Sequence, residues 1–484
     1  MSSALALALL LPLVAVGLTV AFGRWPNLRE TSTLLVGTAL FLTVASLVPE
    51  VLAGARPALT LFAVTPSLVV AFELEPLGLL FALLASGLWI VTSVYSIGYM
   101  RAHEERHQTR YYACFALAIL GAVGVALAQN LFTLFLFYEM LTLSTYPLVT
   151  HHGTKKAMRG GRVYLGVLLS TSIGLLLFAL LWTWNLAGTL DFREGGILAG
   201  KAGNGTIAAL LALYAFGTGK AALMPVHRWL PAAMVAPTPV SALLHAVAVV
   251  KAGVFTVMKV VVYIFGIELL ADTGASVWLL FVAGATVILA SLVALTKDNL
   301  KARLAYSTIS QLSYIVLGAA LARPWAIVGG SMHILMHAFG KITLFFCAGA
   351  IYVATRKTEI SQMRGIGRRM PVTMVAFFIG SLSVIGLPPL GGAWSKWYLA
   401  LGAAEAGQGL VLATLMLSSL LSIAYLMPLV VRGFFSPSEG GVPPVVREAP
   451  LLCLIPLCLT AVGCLVLFFF ADGIYRMLLP IAGG

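Results

Sequence analysis

Gly217-Thr218-Gly219-Lys220-Ala221-Ala222-Leu223-Met224-Pro225 stands inside the apolar run 206–232. That run exceeds the ~20 residues a bilayer-spanning helix needs, yet it holds a cation and several helix breakers. Proline removes a backbone N–H and clashes with the preceding turn, so this stretch predicts a span that is kinked or broken. Gly386-Leu387-Pro388-Pro389-Leu390-Gly391-Gly392-Ala393-Trp394-Ser395-Lys396 repeats the combination inside the run 371–400. Non-helical backbone at membrane depth is tolerated where it is buried in protein or lines a water-filled cavity. A lysine beside each break gives such a cavity a use.

Outward from these two stretches, the chain reads as span after span. Its 484 residues are 60% hydrophobic and 10% charged, outside soluble usage and fitting an all-α polytopic membrane protein. About fourteen apolar runs are expected to cross the bilayer, the first at 3–22 and the last at 451–473, with spans seven and twelve broken. The first run lacks the basic flank of a signal peptide and is followed by further spans, so it reads as a transmembrane helix. Spans seven and twelve are an odd number apart, so a repeat relating them is inverted in the membrane. Broken helices at matching places of inverted repeats point to an ion pathway.

The net charge of +13 is topological. About twenty of the thirty Lys and Arg residues follow odd-numbered spans, among them Arg101, Lys155, Lys301 and Arg369, and about five lie on the other side. The positive-inside rule then places the odd loops in the cytoplasm and both termini outside, in a cell inner (plasma) membrane. No nucleic-acid partner is implied. Cys114, Cys347, Cys453, Cys458 and Cys464 are scattered without metal-ligand spacing and read as small buried hydrophobes.

The other five cations, Lys220, Lys251, Lys259, Lys341 and Lys396, fall within spans, where a lysine costs ~2.5–3.5 kcal/mol on insertion scales. Glu139 is the only acid read as lying well inside a span. Buried alone it would take up a proton; beside an amine it can stay ionised. Lys220 is its natural partner, and a change in their separation would switch the proton affinity of the amine. Lys251 and His245 are six residues apart on the eighth span, 239–265, too far in register to share one face cleanly, but a water can join them if the cavity is polar enough; a neutral imidazole can relay protons. Lys259, two turns further on, is expected to snorkel to the interface. His333, His337 and Lys341 recur at i, i+4 and i+8, a polar stripe on one face of the eleventh span. Two histidines at that spacing also suit a metal, but no third ligand stands nearby in sequence. His151 and His152, beside Lys155 and Lys156, are expected to be solvated.

Met224-Pro225-Val226-His227-Arg228-Trp229-Leu230-Pro231, continuing through Ala236-Pro237-Thr238-Pro239-Val240-Ser241-Ala242-Leu243-Leu244-His245 to Val250-Lys251-Ala252-Gly253, closely resembles the antiporter-like subunits. That family includes the Mrp-type multisubunit cation/proton antiporters and the membrane arms of complex I and related hydrogenases. Lys297-Asp298-Asn299-Leu300-Lys301 with Leu304-Ala305-Tyr306-Ser307-Thr308-Ile309-Ser310-Gln311 is similar to a second signature of the family. His337-Ala338-Phe339-Gly340-Lys341 is similar to a third, differing at Gly340, and Phe137-Tyr138-Glu139 resembles the fifth-span glutamate. The resemblance implies fourteen helices containing two inverted five-helix repeats. The expected organisation is 1–110 for helices one to three, 111–265 for the first repeat (helices four to eight), 276–432 for the second (helices nine to thirteen) and 433–484 for the last helix. Lys396, where one complex I subunit class usually has glutamate, makes the resemblance nearest to the D-type subunits of the Mrp antiporters.

The expected function is therefore proton translocation along Glu139, Lys220, His245, Lys251, His333, His337, Lys341 and Lys396. It is coupled, as the resemblance implies, to Na+ or K+ exchange by a complex with other membrane subunits. The contrasting expectation is a proton-pumping subunit of complex I or of a membrane-bound hydrogenase. No GxGxxG fingerprint, haem motif or iron–sulfur cysteine set is present, so the chain is not expected to hold a cofactor or a redox centre in either case.

Overall fold

A computed structural model describes residues 2–65, 68–437 and 445–483, without the side chains of Leu244 and His245. Apolar runs of bilayer length satisfy their backbone internally, and among the described residues eleven continuous helices are long and apolar enough to cross a membrane. They are α1 (Ser2–Ala21), α2 (Pro26–Leu52), α3 (Pro76–Ala102), α4 (Gln108–Leu127), α5 (Leu131–Val149), α6 (Lys155–Ala187), α9 (Val277–Thr296), α10 (Leu300–Leu321), α11 (Pro324–Thr355), α14 (Gly409–Phe435) and α15 (Leu451–Phe469). The seventh, eighth and twelfth expected spans are the interrupted ones. The seventh is α7 (Asn204–Gly217) followed by short turns. The eighth centres on α8 (Val249–Val260), and the twelfth is α12 (Pro371–Ile385) and α13 (Gly392–Glu405). A helix at Ile267–Thr273 follows α8 at an 80° bend.

Helix starts follow local chemistry. Asn130, Thr154 and Asn299 each accept a backbone N–H of the first turn of α5, α6 and α10, satisfying donors that have no partner within the helix. Proline, which lacks the N–H that would be orphaned there, opens α2, α3, α11 and α12.

Packing sorts the helices by depth. The apolar windows of α10 and α11 are 94% and 89% buried, whereas those of α1, α14 and α15 are 28%, 33% and 33% buried. Leu10, Leu420 and Leu459 are among the exposed side chains of that outer set, an apolar perimeter suited to lipid or to other subunits. His333, His337 and Lys341 lie on α11, so this part of the polar interior is enclosed by less buried helices.

Two features depart from the sequence reading. An antiparallel hairpin, β1 (Ala58–Thr65) with β2 (Leu68–Glu73), occupies what reads as a loop between spans two and three. It lies over the α4–α5 turn, where Gln129 N donates to Ala71 O at 3.1 Å and Asn130 Nδ2 to Val69 O at 3.0 Å. The eighth span is also interrupted, by a π-turn at Leu243–Val247 and by Ala248 at φ −121° and ψ −68°. No proline or glycine marks that place, so the sequence carries no signal for it.

Candidate functional site: a row of buried amines and imidazoles

The break in the seventh span positions Lys220. α7 stops at Gly217, a single tight turn spans Gly219–Ala221, and Ala222 takes φ +54°. Lys220 is wholly buried. Its Nζ donates to Tyr138 O at 2.8 Å and to Thr142 Oγ1 at 2.5 Å, and lies 3.1 Å from the Tyr138 ring centroid. Its own amide donates to the Tyr138 hydroxyl at 3.1 Å.

The expected contact between Glu139 and Lys220 is not made. No ion pair joins them among the described residues, and both Glu139 carboxylate oxygens are buried without a hydrogen-bond partner. Helical geometry is the reason: residues 138 and 142 share one face of α5, whereas 139 is turned about 100° away. Glu139 still lies within electrostatic reach of the amine. A buried carboxylate without a hydrogen-bond partner is costly.

Lys220 abuts α8 through its backbone. A Cβ on Gly253 would sit 2.3 Å from Ala221 N and 2.3 Å from the Lys220 carbonyl carbon, so only glycine lets α8 approach the broken turn. Gly253→Ala is expected to lower stability by about 1–3 kcal/mol through overpacking and to reduce transport by displacing Lys220. Thermal melting of the assembled complex checks the first effect; an unchanged melting temperature would contradict the close approach.

Lys251, also wholly buried, turns from α8 toward α11, where its Nζ and His337 Nδ1 share a 2.6 Å hydrogen bond. One turn back along α11, the His333 ring lies parallel to that of His337, with centroids 5.7 Å apart. His333 Nε2 faces Gln311 Oε1 at 3.1 Å and its Nδ1 faces Ser395 Oγ at 2.8 Å. Because a carbonyl oxygen only accepts, Nε2 carries a proton in this arrangement. Lys341, the third member of the stripe, points to α10, donating to Ser307 Oγ at 2.5 Å and Leu304 O at 3.4 Å.

The second break positions Lys396. Gly386 takes φ +93° after the last turn of α12, leaving the Ile385 carbonyl without an intrahelical partner. Lys396 Nζ donates to that carbonyl at 2.9 Å and to Ser419 Oγ at 3.1 Å. It also lies 4.7 Å from the Tyr314 ring centroid, and His333 stacks on the same Tyr314 ring with centroids 5.5 Å apart. Beside Lys396 a groove of about 1000 Å³ opens on the perimeter; apart from Lys396 and Ser419 its walls are apolar side chains and glycine.

The structure thus brings Lys251, His337, His333 and Lys396 into one line of direct or one-residue contacts. Lys220 lies against the same helix as Lys251, and Lys341 branches toward α10. The His245 side chain lies outside the described residues, although its backbone sits in the π-turn beside α8. Lys259 does not snorkel: it is 1% exposed and forms an ion pair with Glu75 at 3.1 Å. Glu75 is a second buried acid, placed at the start of α3, where its carboxylate also accepts from Leu77 N and Gly78 N. His151 is not solvated either. It is buried against Tyr111, and His151 and His152 lie 3.7 and 3.5 Å from Glu105. Burial pushes the Glu105 carboxyl up, but the hydrogen bond and charges of the two imidazoles outweigh it and hold the group below its ordinary value. Gln311, Tyr314 and Ser395 were missed as site residues, though Gln311 closes the second signature and Ser395 adjoins Lys396 in sequence.

A many-spanned membrane protein with broken helices around an internal line of amines and imidazoles is the class this fold and site define. The chain belongs to the NADH:quinone oxidoreductase/Mrp antiporter transmembrane family, whose profile matches residues 128–422, as an antiporter-like subunit. It is 33% identical over 396 residues to NADH-quinone oxidoreductase subunit N of Desulforudis audaxviator (strain MP104C), covering 79% of this chain and 78% of that one. It is also 33% identical over 342 residues to hydrogenase-4 component B of Escherichia coli (strain K12), covering 67% of this chain and 50% of that longer one. Its fold matches a chain of the Mrp complex from Dietzia sp. DQ12-45-1b with a TM-score of 0.88 at 23% identity, covering 100% of this chain and 97% of that one. A chain of the membrane-bound sulfane sulfur reductase, an archaeal respiratory membrane complex, matches with the same score at 24% identity and the same coverage.

Proposed function

We propose that this chain is the proton-translocating subunit of a multisubunit monovalent cation/proton antiporter in the plasma membrane. The observation that carries this reading is the Lys251–His337 hydrogen bond, continued through His333 and Tyr314 to Lys396. Lys251 and Lys220 act as proton carriers in one half, and His337, His333 and Lys396 in the other. A proton on Lys251 passes along the shared hydrogen bond to His337, and ring reorientation or an intervening water carries it to His333. Like charges repel strongly where water is scarce, so a proton arriving on one amine drives the next away. Glu139 supplies the nearby negative charge that makes protonation of Lys220 affordable, and Lys341 is a side branch whose charge is felt along α11. The apolar perimeter is covered by the other membrane subunits and by lipid.

The second reading, a proton-pumping subunit of complex I or of a membrane-bound hydrogenase, is supported by the 33% identities to subunit N and to hydrogenase-4 component B. Subunits that copurify with the chain, and ΔpH formation driven by added Na+ or K+ in inverted vesicles, separate the two. Cation-driven proton movement without an electron donor supports the antiporter; movement that requires an electron donor supports the other reading.

Lys396 provides the test of role within the row. Lys396→Ala is expected to stop proton flux. Lys396→Arg is expected to impair it severely as well, because guanidinium holds its proton throughout this range. A fixed electrostatic element, by contrast, would be largely rescued by arginine. Near-normal flux in the arginine variant, with assembly intact, removes Lys396 from the list of carriers.

A further inference from the structure

The row needs a route to water, and the groove beside Lys396 does not resemble one, since its lining is almost entirely apolar. A polar route lies elsewhere, at the end of α8. Lys251, Phe255 and Lys259 recur at i, i+4 and i+8 and so stack on one helical stripe, with the two lysines ~12 Å apart along the axis. Phe255 is wholly buried between them, packed against Phe81 with ring centroids 5.0 Å apart. The Lys259 amine lies 5.5 Å from the Phe255 ring centroid.

Beyond Phe255 the surroundings change character. Lys259 Nζ is 3.1 Å from Glu75 Oε1 and donates to Ala128 O at 2.8 Å. A cavity of about 10 Å³ borders the pair, room for a single water. Glu73, Gln129, Tyr263 and Arg56 also line it. Arg56 pairs with Glu73 at 3.6 Å and with Glu194, whose carboxylate is 68% exposed. Polar groups therefore run from the buried amine to the surface. They emerge on the loops after spans two and six, the side opposite the basic loops.

We propose that Lys259 and the groups around it form a proton port connecting Lys251 to the aqueous phase on that side, with Phe255 as its plug. This rests on the row being a proton path. Lys259 gives its proton to water in the small cavity, which passes it to Glu73 and on to bulk. When the Phe255 ring swings aside, water entering its place carries the proton of Lys251 to the emptied amine, and the pair is restored. Glu75 is a positioning residue. Its carboxylate is held by Leu77 N, Gly78 N and the Tyr263 hydroxyl, so it is fixed beside the Lys259 amine and keeps that amine in place.

A merely structural ion pair and a port differ in what opening the plug does. In proteoliposomes holding the whole complex, without a cation gradient, Phe255→Ser is expected to raise passive proton leak several-fold over wild type. Phe255→Ser/Lys259→Arg is expected to return it to the wild-type level, because arginine preserves the ion pair but cannot release a proton. No increase in the first variant, or a leak that survives in the second, overturns the port. If Phe255→Ser does not assemble, Lys259→Arg alone decides. Reduced cation-driven flux at an unchanged melting temperature supports the port, and wild-type flux overturns it. Cation-driven flux in the wild type is measured alongside, so absence of any proton movement there counts against the row itself rather than the port.

Discussion

Lys220→Ala is expected to bring cation-driven pH change in inverted vesicles to background while leaving the complex assembled. The amine is wholly buried and carries its charge on two oxygen acceptors and one aromatic face, a setting in which a proton can be held but not shared widely with solvent. Lys220 and Glu139 form no ion pair to break, and the Tyr138 carbonyl keeps the Thr142 hydroxyl as donor at 3.2 Å, so no acceptor is left bare there. Glu139→Ala is expected to be nearly as severe, because Lys220 then loses a carboxyl group within its electrostatic reach. Thr142→Ala removes two hydrogen bonds, the one from Lys220 Nζ and the one to the Tyr138 carbonyl, each worth about 1 kcal/mol, and is expected to slow transport without stopping it. Wild-type flux in Lys220→Ala or Glu139→Ala, at normal expression, rules out a required role for that residue.

What was legible in the sequence, and what was not, divides along physical lines. The breaks in the seventh and twelfth spans were readable because proline and glycine act locally, whatever surrounds them. The stripe of His333, His337 and Lys341 was readable because helical spacing alone puts those residues on one face. Directions were not readable. Lys341 turns to Ser307 on α10, and Lys220 turns to Tyr138 and Thr142 instead of Glu139, choices made by tertiary packing. The interruption before α8 carries no breaker residue, so nothing local announces it. The Lys259–Glu75 pair joins residues remote in sequence, and each has a plausible local reading by itself, one as a snorkelling lysine and one as a helix cap. The hairpin at Ala58–Glu73 was hidden because its strands are short and read as a loop between two strong helical signals. His151 is buried by Tyr111 from a neighbouring helix, which its basic sequence neighbours do not reveal.

The central claim is that protons cross from one half of the molecule to the other through the hydrogen bond between Lys251 on α8 and His337 on α11. Lys251→Met keeps an unbranched apolar stem in place while deleting the only atom that makes this contact. A neutral stem in an otherwise buried site costs little stability, since no charge is left without its partner. The decisive measurement is cation-driven proton flux by the purified complex in proteoliposomes, comparing wild type with Lys251→Met at matched melting temperature and subunit content. Loss of flux to the level of empty vesicles is the expected result. Flux within a factor of two of wild type would show that protons pass without this bridge and would contradict the account.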